Sequence, residues 1–101
     1  MTEHESPAIL PLTPELHREL FRRMLLIRRV EERIVQLGNA GDFPGHYHVY
    51  IGQEATGVAI AALMQPGDTM VTTHRNHGHV LARGGEPRRL IAELLGRDAG
   101  F

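Results

Sequence analysis

The 101-residue chain has no cysteine, and all eleven of its basic residues are arginine. Without cysteine there is no disulfide framework, no thiolate nucleophile and no cysteine-bound zinc or iron–sulfur cluster, so the chain fits a reducing compartment without requiring one. Without lysine there is no Schiff-base nucleophile, no pyridoxal-phosphate anchor and no Walker A lysine. The only serine, Ser6, lies in a proline-bearing leader, where it makes a poor nucleophile. A net charge of −1, with arginines interleaved with acids, leaves no basic stripe for nucleic acid. The opening Met1-Thr2-Glu3-His4-Glu5 is acidic where a signal peptide is basic, and the longest run of apolar and small residues, Gly57 to Met64, is too short to cross a bilayer. These exclusions read as a soluble cytoplasmic protein whose available chemistry is imidazole, guanidinium, carboxylate and threonine hydroxyl.

What the chain has instead is histidine: five of its seven lie between Gly45 and His79, and Arg75 is the one basic side chain between the long first helix and the last quarter. Around this cluster the chain reads as one small, mostly helical domain. Residues 1–12, with Pro7 and Pro11, are expected to form an extended arm. Thr13-Pro14-Glu15 is a helix start, with a hydroxyl N-cap, proline where its missing N–H is harmless, and acids at the positive end of the dipole. Leu16, Leu20, Met24, Ile27, Ile34 and Leu37, with Val30 beside them, make an apolar stripe, and Gly38-Asn39 supplies the expected cap. Arg22-Arg23 and Arg28-Arg29 read as a solvated face paired within the helix to Glu19, Glu31 and Glu32. If residues 46–51 are extended, His46, His48 and Tyr50 share one side. Gly52 to Met64 is a small-residue helix suited to close packing, with Glu54 stabilised in its first turn by the dipole. Thr69 to Thr73 is a short β-branched strand ending in His74-Arg75-Asn76-His77-Gly78, followed by a helix from about His77 to Arg83. Gly84-Gly85 breaks the chain before a last helix, Arg88 to Leu95, opened by Pro87 and capped by Gly96.

Two chemical readings of the histidines compete. His46, His48, His74, His77 and His79 could share a transition metal, although no carboxylate or cysteine is spaced to complete the site. Alternatively, Arg75, the imidazoles and the helix start after them could form a phosphate site at the carboxyl end of a strand, where open α/β sheets place ligands.

The runs Gly45-His46-Tyr47-His48-Val49-Tyr50-Ile51-Gly52-Gln53-Glu54-Ala55, Pro66-Gly67-Asp68, His74-Arg75-Asn76-His77-Gly78-His79 and Arg89-Leu90-Ile91-Ala92-Glu93-Leu94-Leu95-Gly96-Arg97 resemble, in order and spacing, the N-terminal part of the alpha subunit of thiamine-diphosphate-dependent 2-oxo acid dehydrogenases. This is the E1 component of pyruvate and acetoin dehydrogenase complexes. The resemblance implies an α/β thiamine-diphosphate-binding fold, represented here by residues 13–101 as a mostly helical portion with one short parallel-sheet strand. It implies that His48, His74 and Arg75 bind the diphosphate region of the cofactor, and that His48 and His77 are candidates for proton handling. His74 stands where the family has tyrosine; an imidazole still donates one hydrogen bond, with altered reach.

The family's Gly-Asp-Gly motif and downstream Asn, which hold magnesium, have no match in the chain, so the metal's ligands are expected outside it and the chain is expected to be roughly a third of an alpha subunit. The family's catalytic glutamate belongs to the beta subunit. The implied reaction is oxidative decarboxylation of a small 2-oxo acid, or cleavage of acetoin, with the acyl unit passed to a lipoyl group on an E2 acyltransferase. The rival reading from another class is a catalytically silent assembly module.

Overall fold

A computed structural model describes residues 11–43 and 47–101. The first ten residues of the expected arm, and His46, lie outside the described residues. Helix α1 spans Pro14–Asn39, and its start is the one expected: Thr13 Oγ1 accepts from Leu16 N at 3.0 Å, and Pro14 occupies the first turn. The helix ends at Asn39, as expected, but neither Gly38 nor Asn39 is the left-handed residue of the cap. The left-handed residue is Gly41, at φ 81°, where Gly41 N donates to Gly38 O and Asp42 N to Leu37 O, both at 3.0 Å. These two bonds satisfy the carbonyls of the last turn, a task Gly38 cannot perform while it is itself helical.

A turn closed by Gln53 N donating to Tyr50 O at 3.0 Å, with Gly52 at φ 97°, leads into α2, Glu54–Leu63. Helix α3, His77–Ala82, is six residues long and ends at Gly84, and α4, Pro87–Leu94, opens on Pro87 and ends on Gly96 at φ 73°, as expected. Helices α1, α2 and α3 pack mutually, and α4 leans on α3. Their shared core is Ile27, Val30, Ile34, Tyr50, Val58, Leu81, Ala82 and Leu90. Burying an aliphatic side chain of this size contributes about 1.5–3 kcal/mol, so the apolar stripe of α1 is the main fastening of the domain.

The expected strand over Thr69–Thr73 is not present among the described residues, which contain helices, turns and loops only. A strand exists by pairing, and residues 69–73 form no ladder with any other segment among the described residues. Val71 at its middle is 97% exposed. No helix of the described residues is long and apolar enough to cross a membrane.

Candidate functional site

Tyr50 is the post around which the site is built. Its side chain is fully buried, and Gly57 of α2 and Gly78 of α3 press on its ring. A Cβ on Gly57 would overlap Tyr50 Oη, and one on Gly78 would overlap Cδ1 and Cε1. With Tyr50 held in this slot, residues 47–49 run alongside residues 74–76. The expected alternation is absent, since His48 is exposed while Tyr50 is buried. The rings of His48 and His74 meet edge to face, 4.4 Å between centroids. Arg75 Nη1 donates to Val49 O at 2.7 Å, tying the two segments together. His48, His74 and Arg75 are therefore brought into one place, with the histidines exposed and the arginine half-buried.

This donor set suits an anion. A guanidinium carries five N–H donors, of which the carbonyl of Val49 takes one. The two imidazoles beside it each donate from one ring nitrogen when neutral. Such a group matches phosphate oxygens, to which charge-assisted bonds are worth roughly 1.5–3 kcal/mol each.

His77 lies elsewhere. It is 6% exposed, and its Nδ1 sits 3.0 Å from Glu31 Oε2 on α1. The other oxygen of the same carboxylate, Oε1, accepts from Tyr50 N at 2.7 Å. Glu31 is fully buried, with a partner on each oxygen, as a buried carboxylate requires. His79 packs edge-on to Tyr50 with centroids 5.1 Å apart. Tyr50 Oη and His79 Nδ1 are both buried without a hydrogen-bond partner among the described residues. The histidines thus divide among separate surroundings, and among the described residues no group of three His, Cys, Asp or Glu side chains could hold a metal.

The second buried carboxylate is Glu54, which accepts from Arg28 Nε at 2.6 Å and from the N–H of Gly52 at 3.0 Å. The Arg28 hydrogen bond, with the backbone N–H groups around it, holds the Glu54 carboxyl below its ordinary value despite burial. Burial, together with the negative charge of Glu54, pushes the Tyr50 phenol up. The pairing of Arg28 corrects the expected intrahelical contact to Glu32. Arg29 takes Glu32, at 3.0 Å, while Arg28 reaches across to α2. The expected pairing of Glu19 with Arg22 and Arg23 is present at 2.9 and 2.8 Å, and the hydrogen bonds from Arg22 first and then Arg23 lower the Glu19 carboxyl to about 2.

Glu31 is the residue that sequence reasoning misplaced, as a surface partner of the arginines. The signal was present: position 31 falls four after Ile27 and three before Ile34, inside the apolar stripe. A carboxylate on the buried face of a helix needs donors from elsewhere in the fold, and these are Tyr50 N and His77.

The dehydrogenase E1 component family model matches residues 22–100. Among curated proteins, the chain is 52% identical over 84 residues to the pyruvate dehydrogenase E1 component subunit alpha of Zymomonas mobilis, covering 82% of this chain and 24% of that one. It is 43% identical over 88 residues to the protein of the same name from Rickettsia felis, covering 87% and 27% respectively. The alpha subunit of acetoin:2,6-dichlorophenolindophenol oxidoreductase from Cupriavidus necator is 40% identical over 96 residues, covering 95% of this chain and 29% of that one. The chain spans about a quarter of the length of the curated relatives it matches. No solved structure matches it significantly.

Proposed function

The chain belongs to the dehydrogenase E1 component family, and from that premise we propose that it is part of an alpha subunit that binds thiamine diphosphate, residues 13–101 forming the front of the cofactor-binding domain. With a beta subunit it oxidatively decarboxylates a small 2-oxo acid, or cleaves acetoin, in the cytoplasm. The acyl unit passes to a lipoyl group of an E2 partner. The observation that carries this reading is the meeting of His48, His74 and Arg75: two exposed imidazoles 4.4 Å apart beside a guanidinium anchored at 2.7 Å on the intervening backbone.

Thiamine diphosphate, when bound, supplies the carbanion chemistry of the reaction. The residues of this chain hold it and manage protons. Arg75 and His74 donate to diphosphate oxygens. The Val49 carbonyl orients the guanidinium beforehand, so little side-chain freedom is lost on binding. His48, packed on His74, adds a donor and sits where a proton could be held. His77 serves on the substrate side, its ring fixed from behind by Glu31. Magnesium would take its ligands from outside the described residues, and the glutamate that activates the cofactor would come from the beta subunit.

The test is cofactor affinity in the complete alpha subunit assembled with its beta partner. Arg75→Ala removes one charge-assisted phosphate contact and is expected to raise the dissociation constant for thiamine diphosphate about tenfold or more. An unchanged constant removes Arg75 from the site. No response to thiamine diphosphate in the unsubstituted assembly leaves the reading of the chain as an assembly module.

A further inference from the structure

The buried carboxylate of Glu31 has no part in holding the cofactor, yet it touches both segments that do. One oxygen accepts from Tyr50 N, two residues after His48, and the other faces Nδ1 of His77, two residues after Arg75. We propose that Glu31 is a positioning residue that fixes His77 in the Nδ1–H tautomer, leaving Nε2 as the proton-accepting nitrogen of the ring; the consequence for turnover rests on the function proposed above.

The argument is one of hydrogen-bond polarity. An ionised carboxylate can only accept, so the nitrogen 3.0 Å from Glu31 Oε2 must carry a proton. In a neutral imidazole this leaves the lone pair on Nε2. Among the described residues the ring's one hydrogen bond is at Nδ1, so nothing there competes for the lone pair of Nε2. The ring has little room to turn, since His77 is 6% exposed and stands in the first turn of α3 with Glu31 at 0% behind it. Tyr50 N anchors the far oxygen, at 2.7 Å, so the carboxylate cannot rotate away without stripping a buried backbone donor.

The same polarity makes the proposal testable with one nearly isosteric substitution. In Glu31→Gln the amide oxygen must stay on Tyr50 N, because a backbone N–H has no alternative protonation state. The amide NH₂ then faces Nδ1 of His77, which must accept, and the proton moves to Nε2. The fold keeps its contacts while the tautomer inverts.

The experiment uses the complete alpha subunit with its beta partner, labelled with ¹⁵N-histidine, the His77 signals being identified by their loss in His77→Gln. In the cofactor-free assembly the unsubstituted protein is expected to show a protonated Nδ1 and a bare Nε2, and Glu31→Gln the reverse. Turnover of Glu31→Gln is expected to fall about 10- to 100-fold, the range for losing the partner that orients a working imidazole. The cofactor dissociation constant stays within about twofold, because the donors of Arg75, His74 and His48 are untouched. In the double variant with His77→Gln the loss is expected to be no larger than with His77→Gln alone, since Glu31 acts through His77. An unchanged tautomer in Glu31→Gln overturns the proposal, and so do turnover losses that multiply. The nitrogen spectrum reports on Glu31 even if Arg75→Ala leaves cofactor binding unaltered, so failure of the functional reading and failure of this inference are separately visible.

Discussion

Gly57→Ala should destabilise the packing of α2 on Tyr50, and Tyr50→Phe should rescue it. An alanine Cβ at position 57 overlaps Tyr50 Oη, with Cζ the next atom at 3.1 Å and Cε1 at 3.3 Å. The ring has little room to retreat, since it is 0% exposed and Gly78 also lies against it. Overpacking of this kind costs about 1–3 kcal/mol. Tyr50 Oη has no hydrogen-bond partner among the described residues, so Tyr50→Phe loses no bond there and removes an unsatisfied buried hydroxyl. Alone it should be close to neutral, or stabilising by up to about 1 kcal/mol. In the Phe background only the ring atoms at 3.1 and 3.3 Å oppose the new methyl, and a shift of a few tenths of an ångström accommodates it. The two substitutions should therefore couple by about 1–2 kcal/mol. The assay is amide hydrogen exchange of α2 and α3 in the complete subunit. There a local loss of 1–3 kcal/mol speeds exchange about 5- to 150-fold, and the double variant should recover most of it. Gly78→Ala is the control: its Cβ meets Cδ1 and Cε1, which phenylalanine keeps, so Tyr50→Phe should not rescue it. Additive effects at positions 57 and 50 would refute the packing argument.

The remaining predictions concern the ends and edges of the same frame. Glu54, whose folded carboxyl is held below its unfolded value chiefly by Arg28, contributes stability that is present above the unfolded value, near ~4.3, and is lost as pH falls through the folded one. Acid unfolding of the complete subunit should thus be shallower in Glu54→Gln than in the parent below about pH 4, and an identical acid limb would show that the pair with Arg28 contributes nothing. Thr13→Ala removes the N-cap bond to Leu16 N and is expected to cost about 1 kcal/mol. That loss should be read as faster exchange in the first turn of α1, with cofactor affinity unchanged; a changed affinity would mean that the arm, rather than the cap, is at issue.

The helices were legible from the sequence because their determinants are local. Thr13-Pro14 starts α1, Gly84-Gly85 and Gly96 end α3 and α4, and a period of three to four marks the buried face, all within windows of a few residues. The candidate site was legible in part, as a set of neighbours. His48, His74 and Arg75 stand out by residue type and family motif, and the structure brings all three together. The Gly38-Asn39 cap was misread because several small residues follow one another there, and the position that completes the end hydrogen bonds, Gly41, depends on where the helix stops packing.

What the sequence determined by itself is this local grammar, the family, and the chemistry left over once cysteine and lysine are absent. Only the tertiary structure decided which partner each charged side chain takes. Glu31 finds His77 across 46 positions and Arg28 finds Glu54 across 26, although acids and arginines nearer in sequence were available to both. The physical reason is that a helix specifies which face is buried but not what is buried against it. Desolvation of Glu31 and Glu54 makes a donor obligatory, and the packing of α1 on α2, α3 and the Tyr50 segment selects the donor.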